Sequence, residues 1–241
     1  MNDAGLATPD EKRPAPPGDI PVRDAASVLV LDRGADGPRV LMGQRGKAAA
    51  FMPSKFVFPG GALDAGDSQA GLAGALPPQT ARRLALEPRD GSPATPQGLA
   101  AAALRELAEE TGLLCGCAGP ATWPEYAQGG LCPDPSGLIY MFRAITPPHL
   151  PRRYDTRFFL LDTAMIHGDP RDFSRASDEL SNIHWVALAE ARKLDLPFIT
   201  EIILAELDGM LHRAGSAPLS EPEAVPFFDN RGPAPRFMHL A

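Results

Sequence analysis

The stretch Arg105-Glu106-Leu107-Ala108-Glu109-Glu110 concentrates more potential chemistry than any other in the chain. On a helix, Glu106, Glu109 and Glu110 stand at i, i+3 and i+4 and so share one face. Like charges so placed repel by roughly a few tenths of a kcal/mol per pair, so stability alone disfavours them. A hard divalent cation reverses that sign. Mg²⁺ or Mn²⁺ takes oxygen ligands from a few carboxylates and keeps several waters for substrate phosphates. A solvated acidic helix face is the competing reading of the same three residues.

The element that must present these carboxylates is a helix over 99–111. Thr95 can cap it, Pro96 suits its first turn, and Gly112 fits the left-handed stop position. Ala100, Leu104, Leu107 and Thr111 fall on the opposite face, which predicts packing against a sheet. Strands are predicted over 25–31 and 39–45, joined as a hairpin, and over 56–58, which stops at Pro59-Gly60-Gly61. Further strands are predicted over 138–145, 156–161 and 183–187, with helices over 79–86, 190–193 and 198–213. The rest of 64–98, and 115–136, read as loop. Interspersed strands and helices predict an α/β sandwich around a mixed sheet. Residues 1–21 hold five prolines and few large apolar groups, which predicts a disordered arm. The folded domain is expected over 22–213, with 214–241 an irregular tail.

Composition narrows the function. The 241 residues carry 23 basic and 30 acidic side chains, a net charge of −7, and 44% are hydrophobic. A net-acidic surface disfavours sequence-independent nucleic-acid binding but not a small phosphorylated ligand. No apolar run reaches the roughly 18 residues of a membrane span, and no secretory signal is visible, so no membrane partner is expected. Three cysteines, Cys115, Cys117 and Cys132, cannot all pair within one chain; with no secretory context they predict a reduced, cytoplasmic protein. Cys115-Gly-Cys117 lacks a second ligand pair at zinc-site spacing. The five histidines show no i, i+4 pairing and read as structural, and Trp185 reads as core.

Upstream of the helix lies Phe58-Pro59-Gly60-Gly61-Ala62-Leu63-Asp64-Ala65-Gly66-Asp67, and downstream it ends Glu110-Thr111-Gly112-Leu113. Together these resemble the two halves of a Nudix box, Gly-x5-Glu-x7-Arg-Glu-U-x-Glu-Glu-x-Gly-U, with U aliphatic. Gly61 matches the first position and Asp67 replaces the first glutamate. Arg105, Glu106, Leu107, Glu109, Glu110, Gly112 and Leu113 match in register. Between Asp67 and Arg105 lie 37 residues where the pattern has seven, so about 30 are inserted, within 68–98. Extra chain at a loop costs little closure entropy. The insertion is therefore expected to be dispensable for folding and to form part of a binding wall. A split box with Asp64 and Asp67 resembles the branch that includes peroxisomal coenzyme A diphosphatases and bacterial relatives. So do Phe51-Met52-Pro53, Arg153-Tyr154-Asp155-Thr156-Arg157-Phe158-Phe159, and Asp178-Glu179-Leu180 ahead of Trp185.

The resemblance implies a Nudix-type α/β/α sandwich that hydrolyses the pyrophosphate of a nucleoside diphosphate derivative. Glu106, Glu109 and Glu110, with the carbonyl of Gly61, would hold Mg²⁺ or Mn²⁺. Arg105 would orient a carboxylate. Glu179 is a candidate general base, with Glu109 and Glu110 as competitors. Arg45 and Arg157 would face substrate phosphates or the 3′-phosphate of coenzyme A. The small-molecule nucleotide expected is coenzyme A or an acyl-CoA, with ADP-ribose or another nucleotide sugar as alternative. A catalytically silent nucleotide-binding regulator is the rival of a different class. A homodimer is left open.

Overall fold

A computed structural model of the chain describes residues 20–241 apart from Ala48, Ala50 and Pro233. Of the arm expected over 1–21, all but Ile20 and Pro21 falls outside the described residues. The first strands are β1 (Val22–Asp32), β2 (Arg39–Arg45), β3 (Phe56–Val57) and β4 (Gly60–Ala62). Helices α1 (Pro78–Leu84) and α2 (Pro96–Thr111) follow, then β5 (Leu114–Ala118), α3 (Pro124–Gly129) and β6 (Leu131–Pro133). The second half runs β7 (Ile139–Ile145), β8 (Arg153–Asp162), β9 (Ile166–His167), β10 (Leu180–Ala187), α4 (Leu188–Ala191), α5 (Phe198–Ala214), β11 (Val225–Asp229) and β12 (Arg236–Leu240).

The main sheet has the order β10-β2-β1-β8-β7-β11-β12, with β3 on β2 and β4 on β1. β1 runs parallel to β8, and β11 parallel to β7; the other pairs are antiparallel. The sheet is therefore mixed, as the interspersed elements predict. β1 is buried without a break from Asp24 to Leu31, because a central strand covered on both faces has no solvent side. Val28, Val30, Phe159 and Leu161 face the layer of α1 and α2. Leu29, Leu31 and Leu160 face the layer of α4 and α5, where Ile203, Leu204 and Leu207 are buried. The result is the α/β/α sandwich. No helix among the described residues is long and apolar enough to cross a membrane.

α2 forms as its sequence dictates. Thr95 Oγ1 accepts from the Gly98 N–H at 3.0 Å, Pro96 opens the first turn, and Gly112 closes the helix at φ +76°. Ala100, Leu104, Leu107 and Thr111 are all fully buried, as the apolar face predicts.

Three expectations need correction. The tail expected to be irregular over 214–241 contains β11 and β12, which extend the sheet past β7. Pro226 masks the strand signal in Val225-Pro226-Phe227-Phe228, and the pairing comes from distant residues. Asn230 Nδ2 donates to the Ile145 carbonyl at 2.7 Å, and buried Asp229 accepts from Arg231 and Arg236. Burial works to raise the Asp229 carboxyl, but those two arginines outweigh it and hold it down at about 2. Residues 115–136, expected as loop, form β5, α3 and β6, and β5 lies between β6 and β9 in a small second sheet.

The insertion is the third. Leu76, Thr80, Arg83 and Leu84 are buried, and α1 packs in the core beside α2. The Arg83 guanidinium donates to the Pro222 carbonyl at 2.6 Å and to the Glu223 carbonyl. Arg143 Nη1 donates to the carbonyls of Leu86 at 3.2 Å and Glu87 at 2.9 Å. Arg89 and Ser92 both donate to Asp24, each at 2.7 Å. The insertion therefore ties together β1, β7 and the segment leading into β11, and is not an appended wall.

Candidate active site

α2 and the β3–β4 turn build the site together. Gly60 has φ +155°, and a Cβ there would meet the backbone of β1 at 2.5–2.6 Å. Gly61 faces Glu106, whose carboxylate lies 2.2–2.5 Å from where a Cβ would sit. Only glycine allows that approach, which explains the Gly-Gly after Phe-Pro. The Gly60 N–H donates to Glu110 Oε2 at 2.7 Å, fixing the inner glutamate against the turn.

Arg105 is the hub. It is 8% exposed, and its Nε and Nη2 donate to the two oxygens of Asp67 at 2.8 and 3.1 Å. Nη1 donates to Glu106 Oε1 at 2.9 Å and to Glu109 Oε2 at 3.0 Å, and Nη2 also reaches the Ala62 carbonyl at 3.0 Å. Burial opposes the charge of Arg105, but the bond to Asp67 and the fields of Glu106, Asp67 and Glu109 outweigh it and keep the guanidinium protonated. Asp67 sits in a single 3₁₀ turn and accepts from the Asp64 N–H at 2.8 Å. The aspartate that stands for the first box glutamate thus reaches Arg105 across the whole insertion. Arg105 thus bonds three carboxylates, those of Asp67, Glu106 and Glu109.

The three glutamates share the face that the i, i+3, i+4 spacing predicts. Burial, then the neighbouring charges of Glu109 and Glu179, raise Glu106 to about 7 against the pull of Arg105. Glu110 is raised to about 8, mainly by burial, with Glu106 and Glu179 adding to it and the Gly60 N–H opposing. Glu109, more open, is raised in the same direction, again chiefly by burial. Glu106 and Glu110 are withdrawn from water, unlike a solvated acidic face, while Glu109 stays half open.

Among the described residues no three carboxylate, imidazole or thiol side chains already converge as a ligand cage. Each glutamate rests instead on a protein donor, Gly60 N–H for Glu110 and Arg105 for the other two. The donor set is all oxygen, with two of its carboxylates held desolvated and mutually repelling. Such a set suits a hard divalent cation.

Glu179 is exposed in the loop before β10, and its charge reaches Glu106 and Glu110. The loop is docked on the end of α2: the Ser177 N–H donates to the Glu109 carbonyl at 3.1 Å. Arg45 ends β2 opposite Leu180, and its charge acts on Glu110. Its buried Nε has no hydrogen-bond partner among the described residues. Arg45 and Glu179 therefore lie on the β10–β2 side of the sheet, within reach of the glutamates by charge.

Arg157 does not, and its expected contact with substrate needs correction. It is 3% exposed, and its Nη1 donates to Asp24 Oδ1 at 2.7 Å and to the Asp155 carbonyl at 2.8 Å. Asp155 in turn takes both oxygens to Arg143 at 2.8 Å. Asp155 and Arg157 of the Arg-Tyr-Asp-Thr-Arg string, with Asp24, Arg89 and Arg143, form a charge network that locks β1, β7, β8 and the insertion. The string's alternating charged residues gave no sign of this, because the partners Asp24, Arg89 and Arg143 lie far off in sequence. Sequence reasoning also missed the Gly60 N–H and the Ala62 carbonyl, which backbone geometry alone supplies. Trp185 is packed against the core as expected, with its Nε1 donating to the Pro170 carbonyl at 3.1 Å.

No family model matches the chain. A Caenorhabditis elegans protein named as a nudix hydrolase is 31% identical over 183 residues, which cover 68% of this chain and 51% of that protein. The chain thus spans about half the length of the curated relative it matches. The crystal structure of a NUDIX hydrolase from Alicyclobacillus acidocaldarius is similar with a TM-score of 0.56 and 28% identity, covering 77% of this chain and 90% of that one.

Proposed function

We propose that the chain is a member of the Nudix hydrolase superfamily and a Mg²⁺- or Mn²⁺-dependent hydrolase of the pyrophosphate bond in nucleoside diphosphate derivatives. The observation that carries this reading is the Arg105-centred face of α2, with Glu106, Glu109 and Glu110 held against Gly60 and Gly61. The three glutamates and the Gly61 carbonyl would hold the ion. When bound, the ion supplies neutralisation of pyrophosphate charge and a water of lowered pKa.

The protein's own groups do the rest. Asp67 fixes Arg105, and Arg105 fixes the directions of Glu106 and Glu109, so the site is organised before substrate arrives. Arg45, at the end of β2 with its charge acting on Glu110, would take a phosphate oxygen. Glu179, on the solvent side, would accept the proton of the attacking water at its carboxylate. Replacing Glu179 by Gln is expected to lower kcat by about 10²–10⁴-fold with the Tm unchanged, because the side chain is exposed. Steady-state kinetics at saturating Mg²⁺ check this; a kcat within a few-fold of the parent moves the base to Glu109 or Glu110.

For the substrate we propose coenzyme A or a short acyl-CoA, cut to 3′-phosphoadenosine 5′-phosphate and (acyl-)phosphopantetheine. The split box with Asp64 and Asp67 supports it. The burial of Arg157 favours the second reading, ADP-ribose or another nucleotide sugar, because it withdraws one of the two arginines offered to a 3′-phosphate. One comparison separates them. Dephospho-coenzyme A should have a kcat/KM lower than coenzyme A by about 1.5–3 kcal/mol if a charged hydrogen bond to the 3′-phosphate is lost. Equal values, or a preference for ADP-ribose over both, establish the second reading. No hydrolysis of any of these with product detection by mass overturns the proposal and leaves the nucleotide-binding regulator.

A further inference from the structure

We propose that Cys117 and Cys132 are a reversible disulfide pair, formed by exchange with a low-molecular-weight disulfide. The argument starts from register. In the β5–β6 pair, Cys117 stands directly opposite Cys132, with Gly116 opposite Pro133 and Ala118 opposite Leu131. The Gly119 N–H donates to the Gly130 carbonyl, and the Asp134 N–H to the Cys115 carbonyl. Hydrogen-bonded pairs alternate along an antiparallel ladder, so 115/134, 117/132 and 119/130 are the bonded pairs. Pro133, which has no N–H, falls in a non-bonded pair, consistent with that phase. A bonded pair has Cα atoms about 5.5 Å apart, inside the roughly 4.4–6.8 Å range of disulfides. Its Cβ atoms must close by about 1 Å to reach roughly 3.5–4.5 Å, which makes the bridge strained and readily reduced. Both side chains point to one face of the hairpin.

The surroundings leave room for the bond. A Cβ on Gly119 would come within 3.1 Å of the Cys132 Cβ, so the glycine there gives the Cys132 thiol space to turn. Cys132 is 9% exposed and Cys117 is exposed, which makes Cys117 the entry point for a reagent. The third cysteine is excluded. Cys115 lies opposite Asp134, fully buried, its Sγ against the Asp134 carbonyl at 3.3 Å. Its diagonal to Cys132 is about 7–8 Å, beyond bridging distance. Burial also pushes the Cys115 thiol up to about 12, while the charge of Cys117 is felt at Cys132.

The chemistry balances without any group from the active site. The Cys117 thiolate attacks one sulfur of the reagent disulfide and releases one reagent thiolate. The Cys132 thiol loses its proton to solvent, and its sulfur attacks Cys117 Sγ and releases the second reagent thiolate. Two protein thiols are oxidised, and one reagent disulfide is reduced to two thiols. The bond replaces the weak contact of Cys132 Sγ with the Gly71 carbonyl at 3.6 Å. β6 also carries the insertion, since the Ala73 N–H donates to the Pro133 carbonyl at 2.8 Å. Oxidation therefore acts on the same hairpin that anchors the segment leading back to Asp67.

The test treats the full chain with oxidised glutathione, then blocks free thiols after unfolding and maps peptides by mass. The expected result is loss of two hydrogens from the intact mass, a linked Cys117–Cys132 peptide, and Cys115 alkylated. Dithiothreitol should restore the parent mass. Cys115→Ser should behave as the parent, whereas Cys132→Ser should stop at one glutathione on Cys117. That substitution also checks the entry point without depending on a cross-link. A parent chain that keeps glutathione on Cys117, that links Cys115, or that leaves both thiols free overturns the proposal.

Discussion

Replacing Glu110 by Gln should lower turnover by at least about 10²-fold at saturating Mg²⁺ while the protein stays folded. The amide oxygen of Gln can still accept from the Gly60 N–H, which the carboxylate now does at 2.7 Å. What is lost is a charge in a desolvated place, next to Glu106 and within reach of Glu179. Without metal, the neutral Gln matches a carboxyl that burial already raises to about 8, so the Tm should be unchanged or slightly higher. With metal, the parent should gain stability on adding Mg²⁺ or Mn²⁺, because a ligand that binds only the folded state raises its stability, and the variant should gain less. Glu109→Gln should follow the same pattern in rate. Near-parent rates in both variants would remove these glutamates from the ion site.

The second large effect is structural. A variant that joins Asp67 to Arg105 by seven residues, the spacing of an uninterrupted box, should fail to fold. It removes buried Leu76 and Leu84, each worth about 1.5–3 kcal/mol of burial. It also strips Arg89 and Ser92 from Asp24 and two carbonyl acceptors from Arg143, leaving Asp24, Arg143, Asp155 and Arg157, each at 4% exposure or less, short of partners. Breaking a buried pair by removing one partner costs about 3–5 kcal/mol, and several such losses meet a total stability of about 5–15 kcal/mol. Circular dichroism and a thermal scan check it. A cooperative melt near that of the parent would return the insertion to the status of a tolerated loop. A milder probe, Arg89→Met, should lower the Tm without unfolding the chain, because Arg157 still pairs with Asp24 at 2.7 Å.

Legibility in the sequence followed the range of the interactions. α2 was readable from end to end because its cap, its apolar face and its stop are all local, and so was the common face of the three glutamates. The hairpin of β1 and β2 and the strands β7, β8 and β10 were readable from apolar patterning. β11 was not, since Pro226 breaks the pattern and its partners on β7 lie over eighty residues away in the chain. Arg45 and Arg157 looked alike as strand-end arginines. Only packing separates them: the charge of Arg45 acts on Glu110, whereas Arg157 closes a buried network with Asp24 and Asp155.

The sequence by itself determined which residues could bind a hard cation, that they share a helix face, and that a glycine turn precedes them. These are consequences of helical periodicity and of glycine's missing side chain, which need no distant partner. The tertiary structure alone decided that Asp67 reaches Arg105 over a 37-residue gap, that Gly60 holds Glu110, and that the insertion belongs to the core. Each of these depends on desolvated charges finding partners far away in sequence, and the burial that makes those pairs strong exists only once the layers have packed.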